Sequence, residues 1–495
     1  MQDALLQLVS PAGLVTLLLG TLLGIVVGAI PGLTGTMVIA LALPLTFGMD
    51  PLQAMTLLIS LYVGAISGGM ITATLLRMPG TPASIVTTFD GYPLAQKGFP
   101  ERALGLGVMA SICGGLVSWG FLFFLAKPIA AYSKEFGPFD YFSLVMMAMV
   151  LISSIGGKSL SRSLFAGSLG ILLSMPGITP ATGQTRMTFG MTSMNDGFQP
   201  LPVLIGLFAI NQVLQDIGKS SRLSTTDGIP IKGAAYSLLD FKKHWVNLLR
   251  SSIVGTWIGM LPGIGANIGS VTSYSVAKTF SKKPDDFGQG SEEGIVAAEA
   301  ANNGTIGGGL IPLVSMGLPG SVVEAVLLGA LVIHGFQPGP RLFEQSPQLV
   351  YSIIFACLFA TIMMGVLMTF SMKLFAKLAN VPRTHLLPMI LVFCVVGSFA
   401  IANRWFDVWV MLAFGGIGFL LERWRIPLAP LVIGFVLGPI AEENLSAGLM
   451  STNGSWWPVI TEPKSLLFLI IALILVIVPL LKSSALSSSK GGESK

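Results

Sequence analysis

The sequence AISGGMITATLLRMPGTPAS, at residues 65–84, decides the fold class. It consists of small and hydroxyl residues in apolar surroundings, and it is broken by Pro79-Gly80 and again by Pro82. A helix interrupted at membrane depth frees backbone amides and carbonyls, which are tolerated there only where they line a cavity or bind a ligand. The stretch therefore predicts a broken transmembrane helix. A second copy of the pattern, GTIGGGLIPLVSMGLPGSVVE, lies at residues 304–324.

The composition indicates an integral membrane protein with many spans. Hydrophobic residues make up 53% of the 495 positions and charged residues 10%, and the mean hydropathy is +0.79. These values are typical of an all-α polytopic membrane protein. The 59 glycines and 30 prolines favour close helix packing with discontinuous or re-entrant helices. The clearest apolar runs lie at residues 14–30, 104–126, 141–155, 202–213, 349–370, 386–400, 408–421 and 466–481.

Several classes of function have no support in the sequence. The net charge of +5 is small, and the basic residues lie at span ends, so we expect no nucleic-acid partner. Cys113, Cys357 and Cys394 lie in apolar runs and predict neither a disulfide nor a metal site. The sequence GGKS at residues 156–159 has Ile152 where a phosphate-binding loop needs glycine. With no metalloprotease or serine-hydrolase motif either, we expect no enzyme activity and no cofactor.

The chain contains an internal repeat. GIVVGAIPGLTGT, which begins at Gly24, matches GTWIGMLPGIGAN, which begins at Gly255, so the offset is 255 − 24 = 231. Pro79-Gly80-Thr81 matches Pro319-Gly320-Ser321 at an offset of 240, as do the glycine pairs at 68–69 and 308–309. The offset rises to 244 and then 248 further on, as two diverged halves with small insertions require.

Loop charges predict how the halves are oriented. Basic residues are concentrated in the central polar segment at 219–250, near 373–383, at 423–425 and in the tail, which places these segments in the cytoplasm. The span at 141–155 and its match at 386–400 then run in opposite directions, so the halves are inverted-topology repeats. A match of Phe139-Asp140 with Phe406-Asp407, at an offset of 267, instead makes them parallel.

These patterns divide the chain into five parts. We predict a first transmembrane repeat at 1–217, a cytoplasmic connector at 218–246 and a second transmembrane repeat at 247–440. A periplasmic loop with an additional C-terminal span follows at 441–482, and a disordered cytoplasmic tail at 483–495.

Four long segments carry a resemblance to a known family. They are GAIPGLTGTMVIALALPLTFGMDPLQA from Gly28, MPGTPASIVTTFDGYPLAQKG from Met78, LPGIGANIGSVTSYSVAKTFSKKPDDFGQGSEEGIVAAEAANN from Leu261, and GFVLGPIAEENL from Gly434. The chain resembles the large membrane subunit of the tripartite tricarboxylate transporters over nearly its whole length, from about residue 14 to 480. Arg77 departs from the pattern, which has an uncharged residue, often asparagine, before the Pro-Gly.

The resemblance implies a multi-pass permease of the bacterial inner membrane. It implies a small membrane subunit and a periplasmic solute-binding protein as partners. Its implied substrates are di- or tricarboxylates and related organic acids, with uptake driven by sodium or protons. Two other classes stay open, namely an intramembrane enzyme acting on a lipid or quinone and a non-transporting scaffold subunit.

The helix breaks suit an anionic substrate and a coupling cation. Half-helices that begin after the Pro-Gly pairs present free amides and hydroxyl groups to a carboxylate. We therefore predict a substrate site from Thr34, Thr36, Pro79, Gly80, Thr81, Ser84, Asn267, Pro319, Gly320 and Ser321. Neutral oxygens near half-helix ends suit sodium. We predict a coupling-ion site from Gly32, Gly263, Asn302, Asn303 and Glu299.

Each of these assignments has a structural alternative. The Pro-Gly breaks can be packing kinks whose freed groups are satisfied by serine and threonine. Glu299 and Glu324 can lie at water-exposed span ends or in structural pairs, although a carboxylate within the membrane is first a functional candidate. Arg77 can reach the membrane interface instead of a substrate. Asp90 and His334 occupy matched positions, and a loop-capping role is expected for Asp90.

Overall fold

The protein is represented by a computed structural model that describes residues 1–30, 33–155, 159–179, 182–217, 235–262, 265–378, 383–400 and 402–490. These residues are almost entirely helical, apart from an antiparallel pair of two-residue strands, β1 (Gly177–Ile178) and β2 (Thr185–Arg186). Among them, six helices are long and apolar enough to cross a membrane. The prediction of an all-α polytopic membrane protein is therefore confirmed.

The first repeat begins with six helices. They are α1 (Gln2–Val9), α2 (Pro11–Gly28), α3 (Gly35–Ala42), α4 (Pro51–Leu76), α5 (Thr87–Gln96) and α6 (Pro100–Ser133). Short 3-10 turns, at Leu43–Thr46 and Pro82–Ile85, follow α3 and precede α5. It continues with α7 (Pro138–Ile155), α8 (Leu160–Ser174), β1, β2, α9 (Pro200–Ile205) and, through a π-helical turn at Gly206–Ile210, α10 (Asn211–Ile217).

The second repeat has the same plan at its start. Its helices are α11 (Leu238–Met260), α12 (Gly265–Phe280), α13 (Glu292–Met316), α14 (Val322–Ile333), α15 (Leu342–Gln345), α16 (Pro347–Leu378), α17 (Arg383–Ala400), α18 (Trp405–Arg423) and α19 (Leu428–Ser451). The last helices are α20 (Pro458–Thr461) and α21 (Pro463–Lys490).

The chain forms two compact units that cut across the two repeats. One unit contains Met1–Ala131 and Leu201–Phe419, and the other contains Tyr132–Pro200 and Leu420–Lys495. In the second unit, α8 of the first repeat packs along α19 of the second. In the first unit, Ile210 of the first repeat contacts Gly415 on α18 of the second. Each unit thus combines helices from both repeats.

Helices α2 and α4 cross with their backbones in contact. A Cβ atom at Gly28 would overlap the carbonyl oxygen of Ala65, and one at Gly68 would lie 2.5 Å from the carbonyl oxygen of Ile25. Only glycine allows the two backbones to approach this closely. The small residues spaced four apart on α2 and α4 therefore act as a helix-packing face, as in other membrane helix pairs.

Helices α11 and α13 repeat this crossing at the matched positions. A Cβ atom at Gly259 would lie 2.6 Å from the carbonyl oxygen of Thr305, and one at Gly308 would overlap the carbonyl of Thr256. Gly259 matches Gly28 at the offset of 231, and Gly308 matches Gly68 at 240. The internal repeat is thus present as two helix pairs with equivalent contacts. The inverted orientation of the copies stays a prediction that rests on the loop charges.

Helices extend into three segments that were predicted to be irregular. Helix α11 begins at Leu238, inside the predicted connector, because Ser237 and Asp240 form a capping box. Helix α19 runs to Ser451, through the start of the predicted periplasmic loop, where alanine, glutamate and leucine are good helix formers. Helix α21 continues to Lys490 from an apolar run, although the serine-rich composition favoured disorder from residue 483.

Replacing Gly308 with alanine should lower the thermal unfolding midpoint of the purified protein in detergent. The new Cβ atom would overlap the Thr256 carbonyl, and overpacking of this kind costs about 1–3 kcal/mol. The matched control is Gly120→Ala on α6, where nothing lies within 4 Å of the added atom. There alanine should be neutral or stabilise the helix by about 0.5–1 kcal/mol. Equal midpoints for the two variants would contradict the crossing.

Candidate functional site

The breaks at Pro79-Gly80 and Pro319-Gly320 interrupt helices as predicted. Helix α4 ends at Leu76, and Arg77 follows it in the left-handed region with φ of 55°. Helix α13 ends at Met316, and Gly317, the match of Arg77, has φ of 73°. The chain therefore turns the same way at both positions, although an arginine there costs about 1–2 kcal/mol more than glycine.

The upstream breaks also separate helices. Helix α2 ends at Gly28 and α3 begins at Gly35, whereas α11 ends at Met260 and α12 begins at Gly265. The predicted ion-site residues Gly32 and Gly263 lie outside the described residues, as does Pro31. The discontinuous helices of the prediction are thus present at all four places.

Most of the predicted hydroxyl donors cap their own helix or turn. Thr34 accepts a hydrogen bond from the amide of Met37 at 3.3 Å and begins α3. Ser84 accepts from the amide of Thr81 at 3.1 Å and donates to the Thr81 carbonyl at 2.7 Å. Ser321 accepts from the amide of Val323 at 3.2 Å and begins α14. The structural alternative, in which hydroxyls satisfy the freed backbone, therefore accounts for these contacts.

The broken segments fold back onto the glycine crossings. The amide of Gly80 donates to the carbonyl of Gly69 at 3.3 Å, and a Cβ atom at Gly80 would overlap the carbonyl oxygen of Gly28. At the matched position, a Cβ atom at Gly320 would lie 2.5 Å from the carbonyl oxygen of Gly259. Gly80 and Gly320 are required at these positions by close approach of the backbone.

The four breaks meet across the two repeats. The turn at Pro82–Ile85 packs against α12, which begins at the upstream break of the other repeat. Reciprocally, α14 packs against α3 and α4. The elements that carry the predicted substrate-site residues therefore contact one another across the repeats. The shared site itself stays a prediction. Its residues with described side chains at these elements are Thr34 and Thr36 on α3, Thr81 and Ser84 at the turn, Asn267 on α12 and Ser321 at α14.

Two of these predicted residues have side chains without a hydrogen bond in the described part of the chain. Thr36 is half-buried one residue into α3, and Asn267 is exposed two residues into α12. They match each other at the offset of 231. Both therefore present polar atoms near a helix N-terminus, where backbone amides favour an anion.

The predicted ion-site residues Glu299, Asn302 and Asn303 form a buried polar cluster on α13, with at most 1% of each side chain exposed. The Nδ2 atom of Asn302 lies 3.4 Å from Glu299 Oε2, and that of Asn303 lies 3.1 Å from the Glu299 carbonyl oxygen. The spacing of three and four residues places all three on one helix face.

Three hydroxyl residues from the first repeat complete this cluster. Thr87 on α5 donates to Glu299 Oε1, and Ser67 on α4 donates to Asn303 Oδ1 at 2.7 Å. Ser111 on α6 accepts from Asn303 Nδ2 at 2.8 Å. Sequence reasoning missed these residues because single hydroxyls in apolar helices are common, and only the tertiary fold shows which of them meet.

The cluster has an unused oxygen at its centre. The Oδ1 atom of Asn302 is buried and has no hydrogen-bond partner within the described ranges. Among those residues, no basic side chain forms an ion pair with Glu299. A carboxylate together with neutral amide and hydroxyl oxygens is a donor set that a small hard cation such as sodium prefers. Chemically, the cluster can therefore hold a monovalent cation or a proton.

Glu324 forms a second buried carboxylate contact between the repeats. It is 1% exposed, lies in the first turn of α14, and accepts a hydrogen bond from the hydroxyl of Tyr62 on α4 at 2.6 Å. Ser321 donates to its other oxygen. Glu324 is therefore not at a water-exposed helix end, and its partners among the described residues are hydroxyl groups rather than a basic side chain.

Arg77 is exposed, and its guanidinium carbon lies 5.7 Å from the centroid of the Tyr92 ring. Within the described chain it has neither an ion pair nor a side-chain hydrogen bond. A cation over an aromatic face is stabilised by about 0.5–1 kcal/mol at an exposed site. The contact orients Arg77 while leaving its hydrogen-bond donors accessible.

Asp90 and His334 make reciprocal contacts across the repeats. Asp90 lies in α5 rather than in a loop, and its Oδ1 accepts from the amides of Gly288, Gly290 and Ser291, each at 2.8 Å. The hydroxyl of Tyr274 donates to its Oδ2 at 2.8 Å. Asp90 therefore caps a loop of the opposite repeat. His334, its match, lies 3.0 Å from the hydroxyl of Thr46 in the equivalent loop of the first repeat.

A cluster of charged residues joins α6, α11 and the start of α13. Arg102 forms a bidentate pair with Asp240 at 2.7 and 2.6 Å, and its Nε donates to Glu292 at 2.7 Å. Lys243 donates to Glu292 at 2.6 Å. The hydrogen bonds from Arg102 hold the pKa of the Asp240 carboxyl well below its usual value. Because every member is paired, we assign this cluster a structural role.

The thiols of Cys113, Cys357 and Cys394 are free, and Cys357 and Cys394 are buried. The described residues contain no group of three or more histidine, cysteine, aspartate or glutamate side chains that could hold a metal ion. Sodium does not need such a group, since it also takes amide and hydroxyl oxygens, which the Glu299 cluster offers.

Comparison with known proteins identifies relatives over most of the chain. Residues 14–433 match the sequence profile of the tripartite tricarboxylate transporter TctA family. A 52.8 kDa protein of Agrobacterium vitis, named for its position 3' of ttuC' in the TAR-I region, is 33% identical over 475 residues, which cover 96% of this chain and 94% of that protein. No solved structure matches the chain.

A second protein of Agrobacterium vitis, named for the corresponding TAR-II region, is similar to part of the chain. It is 35% identical over 229 residues, which cover 46% of this chain and 95% of that protein. The printed names of both relatives give a genomic position and no activity, so the family profile carries the functional information.

Replacing Asp240 with asparagine should lower the thermal unfolding midpoint at neutral pH, because it removes the negative charge and one of the two oxygens that accept from Arg102. The folded-state pKa of Asp240 lies below its ordinary value, so its stabilisation is present above the ordinary pKa and is lost as the pH falls through the folded value. The difference between wild type and variant should therefore shrink in acid. Glu443→Gln, at an exposed position on α19, is the control; a difference that is constant with pH would contradict the assignment.

Proposed function

The chain belongs to the tripartite tricarboxylate transporter TctA family, and we propose that it is the permease subunit of a secondary transporter that takes up di- or tricarboxylates across the bacterial inner membrane. Uptake is driven by a sodium or proton gradient. One observation carries the proposal: helix breaks from both repeats meet within one compact unit. Sites between broken helices of two repeats are characteristic of secondary transporters.

The substrate carboxylates bind where the breaks meet. Thr36 and Asn267 supply polar side chains without a partner in the described chain, and the amides at the starts of α3, α12 and α14 supply positive dipole ends. Thr34, Thr81, Ser84 and Ser321 cap these half-helices and hold them in position. Pro79, Gly80, Pro319 and Gly320 create the breaks. This division of roles is supported by the capping contacts, which leave Thr36 and Asn267 as the residues that face the substrate.

The coupling ion binds at the Glu299 cluster. The site combines one carboxylate with the oxygens of Asn302, Asn303 and Thr87, and the unused Oδ1 of Asn302 supports a ligand there. A buried carboxylate without a counter-charge is costly, which favours occupancy by a cation. Gly32 and Gly263 stay proposed backbone ligands, outside the described residues.

Two partners complete the transporter, a small membrane subunit and a periplasmic solute-binding protein. We assign docking of the solute-binding protein to the segment around β1 and β2. This segment is separated from the predicted cytoplasmic connector by the apolar run at 202–213, so the loop charges place it on the periplasmic side. Ile178, Met187 and Phe189 in this segment are exposed, Phe189 by 82%, although they lie outside any helix. Exposed apolar groups of this kind mark protein contacts.

Uptake of labelled di- and tricarboxylates into proteoliposomes that contain all three components tests the proposal. We expect accumulation when a sodium or proton gradient is imposed and none without a gradient. Failure to take up any candidate acid under either gradient would overturn the transport function. Replacing Pro79-Gly80 by Ala-Ala separates transport from a scaffold role, since a scaffold keeps its function if the variant still folds.

Glu299→Gln should raise the cation concentration needed for half-maximal uptake about tenfold or more. A contact with a charged group is worth about 1.5–3 kcal/mol, and about 1.4 kcal/mol corresponds to a tenfold change. The measurement is the initial uptake rate as a function of sodium concentration and, separately, of pH. Glu293→Gln, six residues earlier on the same helix, is the control. Equal cation dependence in wild type and Glu299→Gln would exclude this site.

A further inference from the structure

Glu324 is a buried carboxylate that the proposed coupling site does not use. It lies in the first turn of α14, a helix that packs against α3 and α4 of the other repeat, and it contacts α4 through Tyr62. Its side chain also lies against the backbone of α13, because a Cβ atom at Gly309 would overlap Glu324 Oε1. Three helices from both repeats therefore enclose the carboxyl group.

Among the residues that the structure describes, no cationic side chain contacts Glu324. The only titratable group on α4 that faces it is Tyr62, and Cys357 on α16 lies beside Tyr62. Helix α3 has the sequence GTMVIALA and carries no titratable residue. On α13, the nearest titratable residue in the sequence is Glu299, ten positions before Gly309 and so about 15 Å along the helix. An ionised Glu324 would thus be a buried charge without compensation among the described residues, which costs several kcal/mol.

The partners of Glu324 suit a proton better than a metal cation. Tyr62 and Ser321 both contact it through hydroxyl groups, and a hydroxyl can either donate or accept a hydrogen bond. The same heavy-atom positions therefore serve the ionised carboxylate and the protonated acid, which donates back to one hydroxyl. The close approach of Gly309 leaves one carboxylate oxygen against the helix backbone. By contrast, the cluster at Glu299 offers amide oxygens with fixed acceptor character.

We propose that Glu324 is a proton-binding site, distinct from the Glu299 cluster, whose protonation permits an anionic substrate to bind beside α14. The link to the substrate rests on the proposed function, whereas protonation of Glu324 does not. The proton comes from water on the side open to the site when the substrate enters. It leaves to water on the other side with substrate release, so that the carboxylate is regenerated.

The reason for the link is electrostatic. An ionised Glu324 in the first turn already neutralises the positive end of the α14 dipole and repels a second carboxylate. Its match in the first repeat at the offset of 240 is Ser84, which is neutral. The turn at Pro82–Ile85 therefore carries no carboxylate at the matched position, whereas the start of α14 favours an anion only after Glu324 has taken up a proton.

The sequence Ser321-Val-Val-Glu324 also matches the capping-box pattern, and a capping role makes a different prediction. A glutamate that only caps a helix is ionised at all pH values above its ordinary range. The protonation state of Glu324 in the folded protein therefore distinguishes a proton site from a cap.

Infrared difference spectroscopy of the purified full-length chain in lipid nanodiscs, without substrate, measures this state directly. We expect the wild type to show the carbonyl stretch of a protonated carboxylic acid that titrates with pH. Glu324→Gln should remove one such band, Glu324→Asp should keep a band, and Tyr62→Phe should shift it because it removes a hydrogen bond. Glu344→Gln, an exposed carboxyl on α15, should leave the band unchanged.

The proposal is overturned if the acid bands of wild type and Glu324→Gln are identical at every pH at which the protein is folded. It is also overturned if sodium, added at constant pH, abolishes the band assigned to Glu324. Thermal unfolding of each variant checks that it is folded, and Glu324→Asp keeps the test valid if the glutamine variant does not fold. Because no substrate is used, this outcome is independent of whether the uptake experiment succeeds.

Discussion

The structure depends on two helix crossings in which backbone lies directly against backbone. Gly28 and Gly68 make the crossing of α2 with α4, and Gly259 and Gly308 make that of α11 with α13. In a membrane, water does not drive helices together, so close van der Waals contact between small residues must hold them. Each crossing also positions the broken segment that follows it. Gly80 packs against the carbonyl of Gly28, and Gly320 packs against the carbonyl of Gly259. The breaks are therefore held in place by the packing of complete helices.

At a helix break within the membrane, the freed backbone amides and carbonyls must first be hydrogen-bonded within the protein. Only the groups that remain can bind a ligand. Thr34, Ser84 and Ser321 satisfy freed backbone groups by capping, and this explains why the hydroxyl residues that first suggest substrate contacts are occupied within the protein. Of the described residues assigned to ligand binding, Thr36 and Asn267 have side chains without a hydrogen bond, and the Oδ1 atom of Asn302 is buried without a partner. Ligand binding is thus assigned to side chains that the local structure does not need.

The sequence predicted the class of fold, the internal repeat and the four breaks, because each depends on local patterns of proline, glycine and apolar residues. It also placed Glu299, Asn302 and Asn303 together, since helical spacing alone puts them on one face. The contacts of Thr87 with Glu299, of Ser67 with Asn303 and of Tyr62 with Glu324 were not predictable, because they join helices far apart in the chain. The mixing of repeats within each compact unit was likewise missed, since the offset series shows which residues match and not which ones touch.

The reciprocal contacts of Asp90 and His334 show that the duplicated halves are no longer energetically equivalent. The carboxylate of Asp90 accepts hydrogen bonds from three amides of the loop at 288–291 and from the hydroxyl of Tyr274. His334 makes one hydrogen bond in the matching loop, with the hydroxyl of Thr46. The joint at Asp90 thus has four side-chain hydrogen bonds among the described residues, and the joint at His334 has one. The two matched loops of the duplicated chain are therefore held with unequal strength, the loop at 288–291 more firmly than the loop at Thr46.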